Sequence, residues 1–185
     1  MRFISLPIQF SEKKYELNPI FGLLLQTDKN YPNKNVVVPE KIIEALAICM
    51  NPYSLTKPKL EIKKKSSHIN KLILRLYYNL LINVSKYNFG LGTFCSNIGQ
   101  PVFDNASDSI LFFRNEKPGT IQNNLCLSRS IFAASTSKLF KDKGVIFIGV
   151  LLPTTLMHAW IIEDSKQPDQ SDNMWINFQP VAALY

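Results

Sequence analysis

The chain has 185 residues, of which 46% are hydrophobic and 19% charged, and its formal net charge is +7. This size predicts one domain, or one and a half, and this composition excludes a disordered chain. The longest apolar run, residues 145–152, is too short to cross a membrane, and residues 1–17 lack the apolar core and cleavage site of a secretory signal. Three cysteines without a Cys-x-x-Cys spacing, and only two histidines, argue against a disulfide framework and a metal site. We therefore expect a cytoplasmic protein without a cofactor, a metal or a membrane-inserted segment.

The first third of the chain divides into short elements and a linker. Apolar stretches within residues 3–9 and 20–26 predict strands of a small N-terminal unit. Pro39 opens KIIEALAICM, whose apolar residues recur at helical spacing and predict a helix. The polar, proline-containing stretch that follows predicts a linker. We place a boundary here, between an N-terminal unit with its linker, residues 1–66, and a main domain, residues 67–185.

Basic residues crowd into this linker and just beyond it. A run of like charges is usually a solvated face, and the alternative is a docking surface for a peptide or a partner protein. We expect no nucleic-acid partner. The residues are Lys57, Lys59, Lys63, Lys64, Lys65, Lys71 and Arg75.

A strong amphipathic pattern follows. Its apolar residues recur at i, i+3, i+4 and i+7, which predicts a helix that packs this stripe into the core. The stripe consists of Ile69, Leu72, Ile73, Leu76, Tyr77, Leu80 and Val84. The glycine- and proline-containing stretch 86–121 gives no clear pattern, apart from a short run at residues 109–114 that suits a strand.

The last third of the chain predicts one helix and three strands. Asn123 and Asn124 are good helix N-caps, and LCLSRSIFAASTSKLFKDKG continues as a helix that stops at Gly144. The segments VIFIGVLL, LMHAWIIED and MWINF each predict a strand. This order indicates an α+β fold, in which an antiparallel sheet packs on the helix.

Cys126 and His158 are the candidate catalytic pair. Cys126 falls in the first turn of the predicted helix, where backbone N–H groups and the helix dipole favour thiolate over thiol. His158 lies inside the second strand, and packing of the helix on the sheet brings the two together. Singly, such a cysteine is most often a small buried hydrophobe and such a histidine a structural residue. Together they follow the order in which papain-like and transglutaminase-like enzymes place their nucleophile and general base.

A third group usually orients the histidine of such a pair. Asn177 is the first choice, because its predicted strand is expected to lie beside the strand of His158. Gln179 lies two residues further and shares that face of an extended strand. The remaining alternatives are the loop residues Asp164 and Asp172.

Two other side chains of the predicted helices carry a charged or reactive group. Arg129 lies one turn after Cys126, and it either supports the thiolate, binds a substrate carboxylate or forms a structural ion pair. Cys49 sits among the apolar residues of its helix and is expected to be part of the core.

The segment CLSRSIFAAS…VIFIGVLLPTTLMHAWIIED resembles the B protein of lasso-peptide biosynthesis, a transglutaminase-like leader peptidase. The matching residues are Cys126, Leu127, Ser130, Ile148, Gly149, Val150, Pro153, His158, Ala159 and Trp160. The resemblance covers residues 120–185, roughly a third of the chain. That family usually closes its triad with an Asp directly after an Asn on the last strand. Here Phe178 follows Asn177, so the resemblance leaves the third group open.

The resemblance implies a papain/transglutaminase-like cysteine endopeptidase that removes the leader from a ribosomally made lasso-peptide precursor, with Cys126 as nucleophile and His158 as general base. It also implies two partners, the precursor peptide and the lasso cyclase, an ATP-dependent macrolactam synthetase. Residues 1–66 would then correspond to a degenerate leader-binding domain. Two other functions stay open: a transglutaminase-like acyltransferase, and a non-catalytic peptide-binding scaffold subunit of the maturation complex.

Overall fold

The fold is mixed α+β, with antiparallel sheets and five α-helices in the described part of the chain. It is seen in a computed structural model that describes residues 1–10, 13–18, 24–27, 37–51, 68–87, 99–116, 125–154, 156–169 and 174–185. The strands are β1 (Phe3–Ser5), β2 (Ile8–Phe10), β3 (Lys13–Leu17), β4 (Leu24–Thr27), β5 (Gly144–Leu151), β6 (Leu156–Glu163) and β7 (Gln179–Leu184). The helices are α1 (Glu40–Met50), α2 (His68–Tyr87), α3 (Ala106–Glu116), α4 (Cys126–Thr136) and α5 (Phe140–Lys143), with a 3-10 helix at Met174–Asn177.

The main sheet has four strands in the order β1-β7-β5-β6, and every neighbouring pair is antiparallel. A second sheet has the order β2-β3-β4. Among the described strands, β6 lies at the edge of the main sheet and pairs with β5 alone. The predicted antiparallel sheet packed on a helix is confirmed. None of the helices in the described ranges is long and apolar enough to span a membrane.

Side chains of the main sheet enter two apolar clusters, one on each face. Strand β5 shows the alternation directly, since Ile146 and Ile148 join one cluster and Val145 and Phe147 the other. Helices α2, α3 and α4 cover the first face, whereas α1 and the 3-10 helix cover the second. The sheet is therefore buried on both faces, which explains why β5 and β6 read as continuous apolar runs in the sequence.

The N-terminal residues contribute directly to the main sheet. Strand β1 pairs with β7, and Ile42 and Ala45 of α1 pack against the sheet. The predicted boundary at residue 66, the linker and most of the basic stretch lie outside the described residues. The elements that precede this boundary thus share a core with the strands that follow it.

Helix α2 forms where it is predicted, but its buried face is predicted only in part. Tyr77 of the predicted stripe is buried, whereas 62% of Leu72, 53% of Ile73 and 64% of Leu76 are exposed. Beside Tyr77 the helix buries three residues that the prediction left out, which are Leu74, Tyr78 and Leu81. Tyr78 packs on Phe113 of α3 with ring centroids 4.5 Å apart, so aromatic packing selects this face.

The predicted strand at residues 109–114 is wrong, because this run lies in helix α3. Two capping interactions start the helix: Asn105 Oδ1 accepts the N–H of Asp108 at 3.0 Å, and Glu163 accepts the N–H of Ala106 at 2.7 Å. The buried residues of α3 recur at helical spacing. They are Ala106, Ser109, Ile110 and Phe113.

The helix predicted from Cys126 to Gly144 is divided in two. Ser137 is extended, with φ −85° and ψ 132°, and it forms a parallel bridge with Phe103. Its hydroxyl donates to Glu163 at 2.6 Å, and this side-chain bond holds the break between α4 and α5. Gly144 ends α5 and begins β5, as predicted.

The predicted strand MWINF is also wrong. Residues Met174–Asn177 form a 3-10 helix, and β7 begins only at Gln179. Trp175 and Phe178 are both buried in the same cluster. Residues three apart point to opposite faces of a strand but to one side of a helical turn, so burying both side chains together requires the turn.

Candidate active site

Cys126 is the first residue of α4, where the sequence predicted a nucleophile. The cap residue Leu125 provides no side-chain hydrogen bond, and the N–H of Arg129 makes the first backbone bond of the helix, to Leu125 at 2.9 Å. Helix geometry leaves the N–H groups of Cys126 and Leu127 without a carbonyl of the same helix to bond. The cysteine therefore lies at the positive end of the helix dipole.

His158 lies on edge strand β6, opposite Gly149 of β5. Only 8% of the residue is exposed. Its imidazole packs against Phe178, with ring centroids 5.2 Å apart, and against Trp160, at 6.2 Å and nearly parallel. Because Trp160 is itself fully buried, the imidazole is held on a rigid aromatic support.

Gly149 has a steric role beneath this aromatic support. A Cβ atom at this position would lie 2.7 Å from the Trp160 ring and 2.9 Å from the backbone oxygen of Gln179. Neither contact is tolerated, and the Gln179 oxygen belongs to the backbone of β7 and cannot rotate away. Glycine at this position therefore permits Trp160, and through it His158, to lie close to β5.

Cys126 and His158 are brought together as a hydrogen-bonded pair. The side chain of His158 bonds the sulfur of Cys126, and the backbone N–H of Ala159 bonds it as well. Burial is the largest single influence and by itself raises the pKa of the thiol. The contacts with His158 and Ala159 and the nearby charge of Arg129 outweigh burial, so the pKa of Cys126 lies below its ordinary value.

Packing of α4 along the edge of β6 creates this contact. Ser130, one turn after Cys126, donates its hydroxyl to the carbonyl of Ala159 at 3.4 Å. The N–H and the carbonyl of Ala159 therefore both bond groups of α4. An edge strand has one side free of ladder bonds, and here the helix occupies it.

The residues predicted to orient His158 do not lie where the sequence placed them. Asn177 ends the 3-10 helix and Gln179 begins β7, and both are exposed. Strand β7 is separated from β6 by β5, so the expectation that Asn177 lies on a strand beside that of His158 is wrong. Asp164 forms an exposed ion pair with Lys143 at 2.8 Å. The last alternative, Asp172, lies outside the described residues.

Sequence reasoning missed two residues near the pair. Phe178, between the two amides that were considered, supplies the ring against His158. Asp169 is buried and forms an ion pair with Arg129 at 3.0 Å, so the ion pair considered for that arginine is present. The sequence carried one signal for the first, since Phe178 follows Trp175 at helical spacing. No sequence signal pointed to Asp169, because it is a lone Asp in a polar loop.

Cys49 differs chemically from Cys126. It is partly buried on α1, in the cluster on the opposite face of the sheet from the packed side of α4. Burial raises the pKa of its thiol to about 12, so it stays protonated at neutral pH. In the described ranges, no group of three His, Cys, Asp or Glu side chains is placed to hold a metal ion. Cys95 lies outside the described residues.

Comparisons with protein-family models, with curated proteins and with solved structures found no match to this chain.

Proposed function

We propose that this protein is a cysteine peptidase that removes the leader segment of a ribosomally made peptide precursor. The observation that carries the proposal is the hydrogen bond between Cys126, at the start of α4, and His158 on β6. A thiol at a helix N-terminus, with a lowered pKa and an imidazole in contact, is arranged for nucleophilic attack. The contrast with Cys49 supports this assignment, because that thiol has its pKa raised instead.

The arrangement of elements also supports a papain/transglutaminase-like fold. In such enzymes the nucleophile begins a helix, and the general base follows on a strand of the antiparallel sheet that packs against this helix. Helix α4 and strand β6 have this relationship here. The resemblance of the Cys126 and His158 segments to the lasso-peptide B protein then suggests a leader peptide as the substrate.

The reaction begins with the thiolate of Cys126 and the imidazolium of His158. The sulfur attacks the scissile carbonyl carbon and forms a tetrahedral intermediate, whose oxyanion the N–H groups at the start of α4 stabilise. His158 then donates its proton to the leaving nitrogen, the C–N bond breaks, and the core peptide departs with a free amine. The leader remains bound to Cys126 as a thioester.

Hydrolysis completes the cycle. Neutral His158 takes a proton from a water molecule, and the oxygen attacks the thioester carbonyl. The C–S bond breaks, the leader leaves as a carboxylic acid, and the thiolate–imidazolium pair is restored. We propose that the freed amine of the core is the substrate of an ATP-dependent macrolactam synthetase, the second partner that the resemblance implies.

Mass spectrometry of candidate precursors encoded beside this gene, incubated with the synthetase, tests the proposal. We expect wild type to give two fragments whose summed mass exceeds the precursor by one water, and Cys126→Ala and His158→Ala to give none. Cys49→Ala is the matched control and should cleave normally, since this thiol stays protonated and contacts Trp160 from α1 without taking part in the reacting pair. Cleavage that survives Cys126→Ala would overturn the cysteine-peptidase mechanism.

Two other outcomes would replace the proposed function. A product in which a glutamine side chain is joined to an amine, with loss of ammonia, would identify an acyltransferase, because Cys126 would then form its thioester with that side chain and pass the acyl group to the amine. The absence of cleavage, together with a Cys126 that does not react with iodoacetamide at neutral pH, would identify a non-catalytic peptide-binding subunit.

A further inference from the structure

Three charged side chains from separate elements meet beside the first turns of α4. Asp169, in the segment after β6, contacts Arg129 of α4 at 3.0 Å and Arg114 of α3 at 2.6 Å. The side chain of Asp169 is only 6% exposed and that of Arg129 only 19%. Two cations around one anion give this cluster a net charge of +1, and water screens the buried Asp169 and the partly buried Arg129 less than it screens Arg114, whose side chain is 36% exposed.

Arg129 has a fixed relation to the candidate nucleophile. It follows Cys126 by three residues on α4, and residues three apart lie on the same face of a helix, about 5–6 Å apart at Cβ. An arginine side chain is long and would ordinarily sample many rotamers. Its contact with Asp169 holds the guanidinium in one place and so keeps its charge near the sulfur.

We propose that Arg129, held by Asp169, which Arg114 also contacts, is a positioning residue that stabilises the negative charge on Cys126. The catalytic value of this charge rests on the proposed function, whereas the experiment that tests the role of Arg129 does not require a peptide substrate. Burial raises the pKa of Cys126, the contacts with His158 and Ala159 lower it, and the charge of Arg129 adds a smaller lowering effect in the same direction. His158 faces the sulfur from β6 and Arg129 from its own helix, with Arg114 and Asp169 beyond.

An electrostatic role and a purely structural role of this cluster predict different signs for the change in Cys126 ionisation. Arg129→Gln removes the cation, so less of the Cys126 thiol is ionised and its alkylation slows. Asp169→Asn removes the negative charge but keeps an amide oxygen that can accept from Arg129, so the guanidinium stays in place, more thiolate forms and alkylation speeds up at low pH. If the cluster only held the segment in place, both substitutions would loosen the site and shift the thiol in the same direction.

The experiment is the pH dependence of iodoacetamide alkylation in the full-length chain, with Cys126 followed by peptide mass mapping. At pH 6 we expect a rate about threefold to tenfold below wild type for Arg129→Gln and above wild type for Asp169→Asn. Lys143→Gln is the charge-matched control, because Lys143 pairs with Asp164 at the surface, and its profile should equal that of wild type. Circular dichroism confirms that each variant is folded.

An unchanged profile for Arg129→Gln, or shifts of the same sign in the two variants, overturns the inference. If Asp169→Asn does not fold, Arg114→Gln decides the matter: the more distant cation should slow alkylation less than Arg129→Gln does, and an equal or larger effect counts against the inference. These outcomes are independent of the peptide substrate. Opposite shifts without precursor cleavage would refute only the proposed function, and cleavage without the shifts only the role of Arg129.

Discussion

The imidazole of His158 depends on two aromatic side chains for its orientation. Phe178 lies 5.2 Å from it and Trp160 lies 6.2 Å from it, and both of these side chains are buried. A general base must be held close to its productive geometry, because small displacements of a reacting group cost large factors in rate. The residues next to Phe178, Asn177 and Gln179, are exposed and lie outside this packing.

Replacing Phe178 should therefore impair catalysis more than replacing Asn177. We expect Phe178→Leu, which keeps an apolar side chain but removes the ring, to lower kcat/KM for precursor cleavage by about tenfold or more. Asn177→Ala should stay within about twofold of wild type, because its side chain is exposed. Steady-state cleavage assays measure both values. An equal loss in Asn177→Ala would mean that the amide orients the histidine after all.

Among the elements, those at the site were predictable, and those whose position depends on tertiary contacts were not. The thiol at a helix start and the histidine inside an apolar strand follow from local pattern, and both lie where the sequence indicates. The run at residues 109–114 contains adjacent Phe and Leu residues that suit a strand, yet Asn105 and Glu163 cap it as a helix. Glu163 is distant in sequence from Ala106, so no local sequence pattern predicts this cap.

Helix α2 shows a second limit of sequence reasoning. Its apolar residues occupy two adjacent stripes, and helical periodicity is satisfied by both. The rings on α3 and α4 decide between them, since Tyr78, which lies only in the second stripe, packs on Phe113 and against the edge of Phe132. The residues that the pattern favoured, such as Leu76, remain exposed.

Two substitutions on α2 test which stripe is buried. Leu81 is fully buried and Leu76 is 64% exposed. We expect Leu81→Ala to lower the free energy of unfolding by about 2–5 kcal/mol, because it leaves a cavity among packed side chains. Leu76→Ala makes the same chemical change on the same helix, and it should stay within about 0.5 kcal/mol of wild type. Urea denaturation measures both, and the reverse order would restore the stripe inferred from the sequence.

For the whole molecule, Glu163 joins elements that are far apart in the chain. It ends β6, and its carboxylate accepts the N–H of Ala106 at the start of α3 and the hydroxyl of Ser137 between α4 and α5. Only 5% of the residue is exposed. Burial raises the pKa of this carboxyl, and the two hydrogen bonds only partly oppose that effect. The stability of the fold is thus linked to the protonation of one buried acid.

The sign of this linkage follows from the raised pKa. Below the ordinary pKa of a glutamic acid, Glu163 is neutral in both folded and unfolded chains, and its favourable contribution is complete. As the pH rises through the raised folded pKa, the folded chain must carry a buried charge, and that contribution is lost. Glu163→Gln keeps a similar shape but does not titrate. The free energy of unfolding of wild type, minus that of Glu163→Gln, should therefore fall as pH increases and then level off.

Urea denaturation at closely spaced pH values from 2 to 8 measures this difference, and the low end of the range covers the lowered pKa of Asp164. Asp164→Asn is a useful comparison, because the hydrogen bond from Lys143 lowers the pKa of Asp164. Its contribution is present above the ordinary pKa of an aspartic acid and is lost as pH falls through the lowered value, so its difference curve should slope the opposite way. Asn is suited to the positive φ of 50° at this position. A flat or rising curve for Glu163→Gln would show that its two hydrogen bonds outweigh burial, and that the carboxylate stabilises the junction of α3, α4 and β6 in its charged form.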